Sequence, residues 1–222
     1  MDRTPRRRQQ SKPKDSILEP RLVSPQAVIV NESFIKLCLL SLFTILCQCF
    51  RKSSIFTQLL FTKWKSLIKE FNLEPVITQS LNYLCRKECI KVYGFVIMPN
   101  HVHFIWELLQ NNSKESPVAS FMKFTAHEFQ KRLEENAPHI LNEFKVDWHS
   151  RNYNFWQPKA DWFLLTQAST IEQKLNYIHL NPMRGKWSLV NNPIEYYYSS
   201  CRFYEKGINN FEFLKDYRDW IE

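Results

Sequence analysis

Hydrophobic residues follow a strand-like pattern in three segments of the chain. Residues 90–97 (IKVYGFVI) and 101–108 (HVHFIWEL) are rich in β-branched and aromatic side chains, which predicts two buried strands. A Met-Pro-Asn turn sequence joins them, so the two strands should pair as a hairpin. Residues 161–167 (DWFLLTQ) predict a further short strand.

Other segments carry apolar residues at helical spacing. Residues 58–72, 76–89 and 120–135 place them every three or four positions, which predicts helices. Residues 34–50 (FIKLCLLSLFTILCQCF) are mostly apolar and fit a helix or a strand equally well. This run falls short of the roughly 20 residues that cross a bilayer, so we expect a buried element and no membrane partner.

The strongest helix signal covers residues 169–180. Its apolar stripe consists of Ile171, Leu175 and Ile178. Ser169 followed by Glu172 has the spacing of a capping box at the helix start. The Asn-Pro pair after Leu180 is typical of a helix end.

The chain is basic, and much of its charge lies at the beginning. The net charge is +8, and the first fifteen residues contribute half of it, with six basic side chains against two acidic ones. Such a balance favours a polyanionic partner, nucleic acid before membrane. These fifteen residues have the composition of a disordered tail, which either contacts phosphates or has no binding partner.

Glycine and cysteine usage narrows the function classes. Only three glycines occur, so the chain has neither a Walker loop nor a dinucleotide fingerprint, and nucleotide-driven chemistry is excluded. The six cysteines follow a charged start without a secretory leader, so we expect reduced thiols in the cytoplasm. Their spacing does not match a structural zinc module.

Two histidines in the second hairpin strand are candidate metal ligands. His101 and His103 lie two residues apart, so their side chains should point to one face of the sheet and Val102 to the other. Two imidazoles on one face can hold a divalent ion. The plainer interpretation, two surface histidines on an edge strand, stays open on this pattern alone.

The helix at 169–180 carries a second candidate group. Lys174, Tyr177 and Asn181 share one face, with Tyr177 and Asn181 one turn apart. A tyrosine can attack a phosphodiester and form a covalent phosphotyrosine, or simply be a packed helix residue with a wet hydroxyl. Lys174 suits a phosphate contact and a solvated helix position equally. His179 falls on the far side of the helix from Tyr177, outside this group.

Two longer strings connect these candidates to a known family. The string YGFVIMPNHVH ends at His103, and the string YIHLNP begins at Tyr177; FWQ from Phe155 and YSS from Tyr198 accompany them in the same order. Together they closely resemble the signatures of the REP-associated tyrosine transposases, a branch of the single-tyrosine HUH transposases. The resemblance covers about residues 90–212, roughly half of the chain.

The resemblance implies an α+β fold: a ferredoxin-like antiparallel sheet with helices on one face, here with an N-terminal extension. It implies that His101, His103 and Asn181 bind Mg²⁺ or Mn²⁺. Tyr177 would attack single-stranded DNA, form a 5′-phosphotyrosine and free a 3′-hydroxyl. The resemblance does not assign Lys174, which stays a candidate for contact with a DNA phosphate on its position alone. Family members commonly act as homodimers on hairpin ends, so the resemblance implies a homodimer that binds hairpin DNA. We expect such a protein in the cytoplasm, associated with the nucleoid.

The resemblance also suggests a division of the chain, with departures near the start. We expect a basic, disordered tail at 1–33, the transposase (HUH) domain at 34–212, and a C-terminal tail or short helix at 213–222. The family's first strand has no clear counterpart, because 34–50 stands in its place; residues 54–57 look like a remnant of the turn that follows it.

Two other functions fit the same residues. One is a catalytically inactive or domesticated DNA-hairpin-binding protein of the same fold. The other is a metallohydrolase that acts on other phosphoesters with the same histidines. The second gives no reason for the spacing between Tyr177 and Asn181. Trp156, Trp162 and Tyr153 are candidates for base stacking, but we expect both tryptophans to pack in the core.

Overall fold

The computed structural model describes residues 54–62, 65–148, 151–157, 161–185 and 187–221. The predictions for segments 1–33 and 34–50 concern residues outside this part. The strands are β1 Ser54–Leu60, β2 Ile90–Met98, β3 His101–Leu108, β4 Lys145–Trp148, β5 Arg151–Tyr153 and β6 Asp161–Leu165. The α-helices are α1 Leu67–Glu70, α2 Glu74–Arg86, α3 Pro117–Asn136, α4 Pro138–Asn142, α5 Ala168–His179, α6 Cys201–Lys206 and α7 Arg218–Ile221. Short 3₁₀ turns cover Asn181–Met183 and Pro193–Glu195.

Four strands form an antiparallel sheet in the order β2-β3-β1-β6. With α2 between β1 and β2 and α3 between β3 and β6, the chain follows the β-α-β-β-α-β path of ferredoxin-like folds. Apolar side chains of α2 and α3 pack together with one face of the sheet in a single buried cluster. The predicted α+β fold with a ferredoxin-like antiparallel sheet is confirmed, and α2 and α3 are the helices that cover one face of it.

A third long helix, α5, covers the opposite face of the sheet. Its stripe of Ile171, Leu175 and Ile178 is buried against Val96 and Ile105. Gly94 permits this close approach, because a Cβ at that position would lie 2.5 Å from Cδ2 of Leu175. The helix that carries Tyr177 is therefore fixed directly on the hairpin that carries the two histidines.

The prediction of a helix at 58–72 is wrong for most of its length. Residues 54–60 form strand β1, which pairs with β3 on one side and β6 on the other; only the short helix α1 lies within the predicted segment. A central strand gains a ladder of hydrogen bonds on both edges, and this outweighs a weak local helical pattern. Residues 54–57 are accordingly the first half of the central strand and not a turn remnant.

The start of α5 also differs from the prediction. The helix begins at Ala168, and its N-cap residue Gln167 makes no side-chain capping bond. Glu172 does not close a capping box on Ser169. Its carboxylate instead accepts a hydrogen bond of 2.7 Å from the hydroxyl of Tyr217, which ties α5 to the C-terminal segment. Nowhere in the described ranges is a helix both long and apolar enough to cross a membrane.

Candidate active site

The two predicted histidines lie on one face of β3, the face that α5 covers. His101 and His103 are both buried, and their ring centroids are 4.9 Å apart. Val102 between them points into the core on the opposite face. The strand period therefore places two imidazoles side by side, as the sequence predicts.

His101 is oriented by its neighbour in the hairpin turn. Its Nδ1 lies 2.6 Å from Oδ1 of Asn100, a hydrogen bond in which the amide oxygen is the acceptor. With Nδ1 engaged in this way, Nε2 is the nitrogen with which His101 would bind a metal. Such an outer partner is the usual device that fixes the tautomer and ring angle of a ligating histidine.

His103 is the most unusual side chain of the site. It is 0% exposed, and neither ring nitrogen has a hydrogen-bond partner in the described part of the chain. Burial, with smaller effects of His101 and Lys174, lowers its pKa to about 3, so the ring is neutral at physiological pH. Buried polar atoms are rarely left unpaired, because each costs about 1–3 kcal/mol. A neutral imidazole with unsatisfied nitrogens fits a metal ligand.

A divalent ion beside the two histidines would need further ligands. Oxygen ligands, which Mg²⁺ prefers, would have to come from side-chain amides, a bound substrate or water. Across the described ranges, no group of three or more His, Cys, Asp or Glu side chains is arranged to hold a metal. Asn181 donates its Nδ2 to the carbonyl of Tyr177 over 3.0 Å, so its Oδ1 is the atom suited to an ion. Gln58 pairs directly opposite His103 in the sheet, which the helical prediction for 58–72 could not indicate.

Tyr177 lies at the open side of the histidine pair. Its ring meets the ring of His103 edge-on, with centroids 5.6 Å apart, and the residue is 39% exposed. Phe56 stacks on His103 at 5.5 Å and contacts the Tyr177 ring at 6.3 Å. The tyrosine is thus held in place by its ring, while part of the residue remains open to a large substrate.

Two cations flank the tyrosine ring. Lys174 Nζ lies 5.7 Å from the Tyr177 centroid and 4.8 Å from that of Phe56. Arg184 places its guanidinium carbon 5.9 Å from the Tyr177 centroid. Lys174 was a candidate phosphate contact in the sequence, whereas Arg184 was not. The only sign of Arg184 in the sequence is its position just after the YIHLNP string. Positive charge at this place suits a phosphodiester.

His179 lies on the other side of α5, as predicted. Its Nε2 is 2.8 Å from Oγ of Ser200, and burial lowers its pKa to about 4. Between pH 6.5 and about pH 4, His179 is therefore protonated in the unfolded chain but neutral in the folded protein. The contribution of His179 to stability is complete above pH 6.5 and is lost as the pH falls towards 4.

We expect His179→Gln to reduce the acid sensitivity of the fold. The amide can keep the bond to Ser200 but does not titrate, so the loss of unfolding free energy between about pH 6.5 and 4 should shrink by up to about 3 kcal/mol. Urea denaturation of both proteins across this range measures it. His103, also buried, is present in both and cancels in the difference. Parallel curves would show that His179 does not cause the acid sensitivity.

One of the two tryptophan predictions is wrong. Trp156 is buried, and its Nε1 donates to Oγ1 of Thr125, as expected for a core residue. Trp162 is 61% exposed. It lies on the edge strand β6, where it pairs with Thr57 and faces away from α5, so its ring stays in contact with solvent.

Comparison with known proteins gives structural neighbours only. No protein-family model matches the chain, and no curated sequence does. Among solved structures, the chain is similar to one described as a REP-associated tyrosine transposase bound to a REP hairpin. The identity is 15%, the TM-score is 0.49, and the match covers 75% of this chain and 87% of that one. It is also similar to a candidate transposase from Deinococcus radiodurans R1, with 16% identity, a TM-score of 0.33, and coverage of 57% and 88%. At such values the reaction has to be inferred from the site residues themselves.

Proposed function

We propose that this chain is a metal-assisted tyrosine transposase that cleaves and rejoins single-stranded DNA. The observation that carries the proposal is the edge contact between Tyr177 and His103. A partly open phenol lies against a buried, neutral imidazole whose nitrogens lack partners within the described residues. A tyrosine beside a histidine that could bind a divalent metal suits metal-assisted cleavage of a phosphodiester.

The residues divide the work as follows. Oη of Tyr177 attacks the scissile phosphorus, and the bond to the 3′ oxygen of the preceding nucleotide breaks. The phenol loses its proton and the departing oxygen gains one, which yields a 5′-phosphotyrosine and a free 3′-hydroxyl. Attack of a 3′-hydroxyl on the phosphotyrosine reverses the step and rejoins a strand.

His101, His103 and the amide oxygen of Asn181 would hold Mg²⁺ or Mn²⁺. When bound, the ion would polarise a phosphoryl oxygen and stabilise the negative charge that develops there. Asn100 keeps His101 in the ligating orientation. Lys174 and Arg184, the two cations beside the Tyr177 ring, would attract the phosphate.

The partner in this proposal is single-stranded or hairpin DNA. The excess of basic residues supports a polyanionic partner, and the two cations beside the Tyr177 ring add positive charge near the proposed nucleophile. We further propose a homodimer and a cytoplasmic, nucleoid-associated location. Sedimentation with and without hairpin DNA tests the first of these.

The experiment that tests the function is a denaturing gel of protein incubated with hairpin oligonucleotides and Mn²⁺. A strand labelled at its 3′ end should become protein-linked, because the tyrosine captures the 5′ phosphate of the downstream fragment. A strand labelled at its 5′ end should instead be released as a shorter product with a free 3′-hydroxyl.

Two other outcomes would contradict the proposal in different ways. Hairpin binding without an adduct under any divalent metal would favour an inactive DNA-binding protein of this fold. Cleavage that leaves both labels free of protein would favour a metallohydrolase that uses the same histidines.

A further inference from the structure

Strand β6 exposes an aromatic side chain on the same face of the sheet as the candidate site. Phe163 is 54% exposed and pairs with Phe56 across the ladder, so both rings lie on the side of α5. Trp162, its neighbour, pairs with Thr57 and points to the opposite face. The two residues are similarly exposed but on different sides of one strand.

Phe163 is continuous with the site through two contacts. Its centroid lies 6.2 Å from that of Phe56, the ring that also stacks on His103. Lys174 Nζ lies 5.0 Å from the Phe163 centroid. An exposed aromatic ring therefore lies at the edge of the sheet, and the buried ring of Phe56 connects it to His103, with Lys174 beside it.

We propose that Phe163, together with Lys174, is a stacking platform for an unpaired base of the strand that Tyr177 attacks. This inference rests on the proposed function. A base flanking the scissile phosphate would lie on the Phe163 ring while its backbone passes Lys174. Stacking on an aromatic side chain is available to every base, so the platform would position the strand without reading its sequence.

Charge complementarity favours a nucleic acid over a second copy of this chain as the occupant. The patch combines apolar rings with two cations, Lys174 and Arg184, near Tyr177. Lysine is depleted in protein interfaces because its ammonium group loses its hydration there, so Lys174 beside the exposed ring argues against a protein occupant. A DNA strand supplies both a π face for the ring and phosphates for the cations.

The test compares three variants of β6 in binding to a fluorescent hairpin with single-stranded flanks, with EDTA present so that cleavage cannot interfere. Phe163→Ala should weaken binding by about 5- to 150-fold, the range for loss of one stacked base. Phe163→Leu keeps the packing on Phe56 but lacks a π face, so it should weaken binding comparably. Trp162→Ala, equally exposed on the opposite face, should change the Kd less than threefold, about the scatter expected of a surface substitution.

Equal losses in Phe163→Ala and Trp162→Ala, or unchanged affinity in both Phe163 variants, would overturn the platform. Hairpins with one abasic position in the flank identify the base that stacks on Phe163. One such position should weaken binding to the wild type but not to the Phe163 variants. Failure of the platform is distinguishable from failure of the transposase function. If the wild type forms no covalent adduct but Phe163→Ala still weakens binding selectively, the platform stands and the catalytic proposal falls.

Discussion

Tyr177→Phe should abolish the covalent link between protein and DNA while leaving DNA binding intact. The substitution removes the single attacking oxygen, so the rate of adduct formation should fall on the order of 10⁴- to 10⁶-fold, as for other catalytic nucleophiles. The phenyl ring retains its contacts with His103 and Phe56, so the fold and the platform persist. The measurement is the amount of 3′-labelled strand that migrates with the protein on a denaturing gel.

Tyr197 provides a matched control for this substitution. It is an exposed tyrosine, like Tyr177, but its ring packs against Tyr198 and Phe211. Tyr197→Phe should form the adduct at the wild-type rate. If Tyr177→Phe still forms an adduct, a different side chain is the nucleophile, and mass spectrometry of the linked peptide would identify it.

His103→Leu should separate metal binding from folding. In the presence of a chelator, the variant should unfold with a free energy about 1–3 kcal/mol higher than the wild type, because it removes two buried nitrogens that have no partner in the described chain. A typical core residue would show the opposite, since most substitutions of buried side chains destabilise. Urea denaturation in EDTA measures this difference.

With Mn²⁺ in place of the chelator, the wild type should become the more stable of the two proteins. A ligand that binds only the folded state stabilises it in proportion to the logarithm of its concentration, so the wild type should gain stability with Mn²⁺ and His103→Leu should not. Adduct formation in the variant should fall about 10²- to 10⁴-fold, the rate equivalent of several kcal/mol of lost charge stabilisation. Equal stabilisation of both proteins by Mn²⁺ would exclude His103 as a ligand.

His127 serves as the control histidine. It lies on α3, and its side chain is 65% exposed. His127→Leu should leave both the Mn²⁺ response and the adduct rate unchanged. A loss of the Mn²⁺ response in this variant would indicate weak binding to surface histidines.

The grouping of the candidate site residues could be predicted because it follows from the periodicity of single strands and helices. Two residues along a strand bring His101 and His103 to one face, and one turn of helix brings Tyr177 towards Asn181. The stripe of Ile171, Leu175 and Ile178 likewise predicted which side of α5 is buried. These features depend on the backbone geometry of one element, which the order of residues reveals directly.

Residues whose role depends on pairing between distant segments could not be predicted in this way. The segment 54–60 has a helical pattern in its second half, yet it is the central strand because β3 and β6 both bond to it. Gln58 and Phe56 reach the histidines only through that pairing. Trp162 was expected in the core, but its place on an edge strand exposes it.

The sequence by itself determined the chemistry available to this protein: two strand histidines, a helix tyrosine with a lysine and an asparagine beside it, and a basic chain. The tertiary structure alone decided that His103 and Tyr177, far apart in the chain, have ring centroids 5.6 Å apart, and that His103 is sealed from water. The physical reason is that burial and contact between elements follow from how α5 packs on the sheet. A small residue at Gly94 permits that approach, and no local period encodes it.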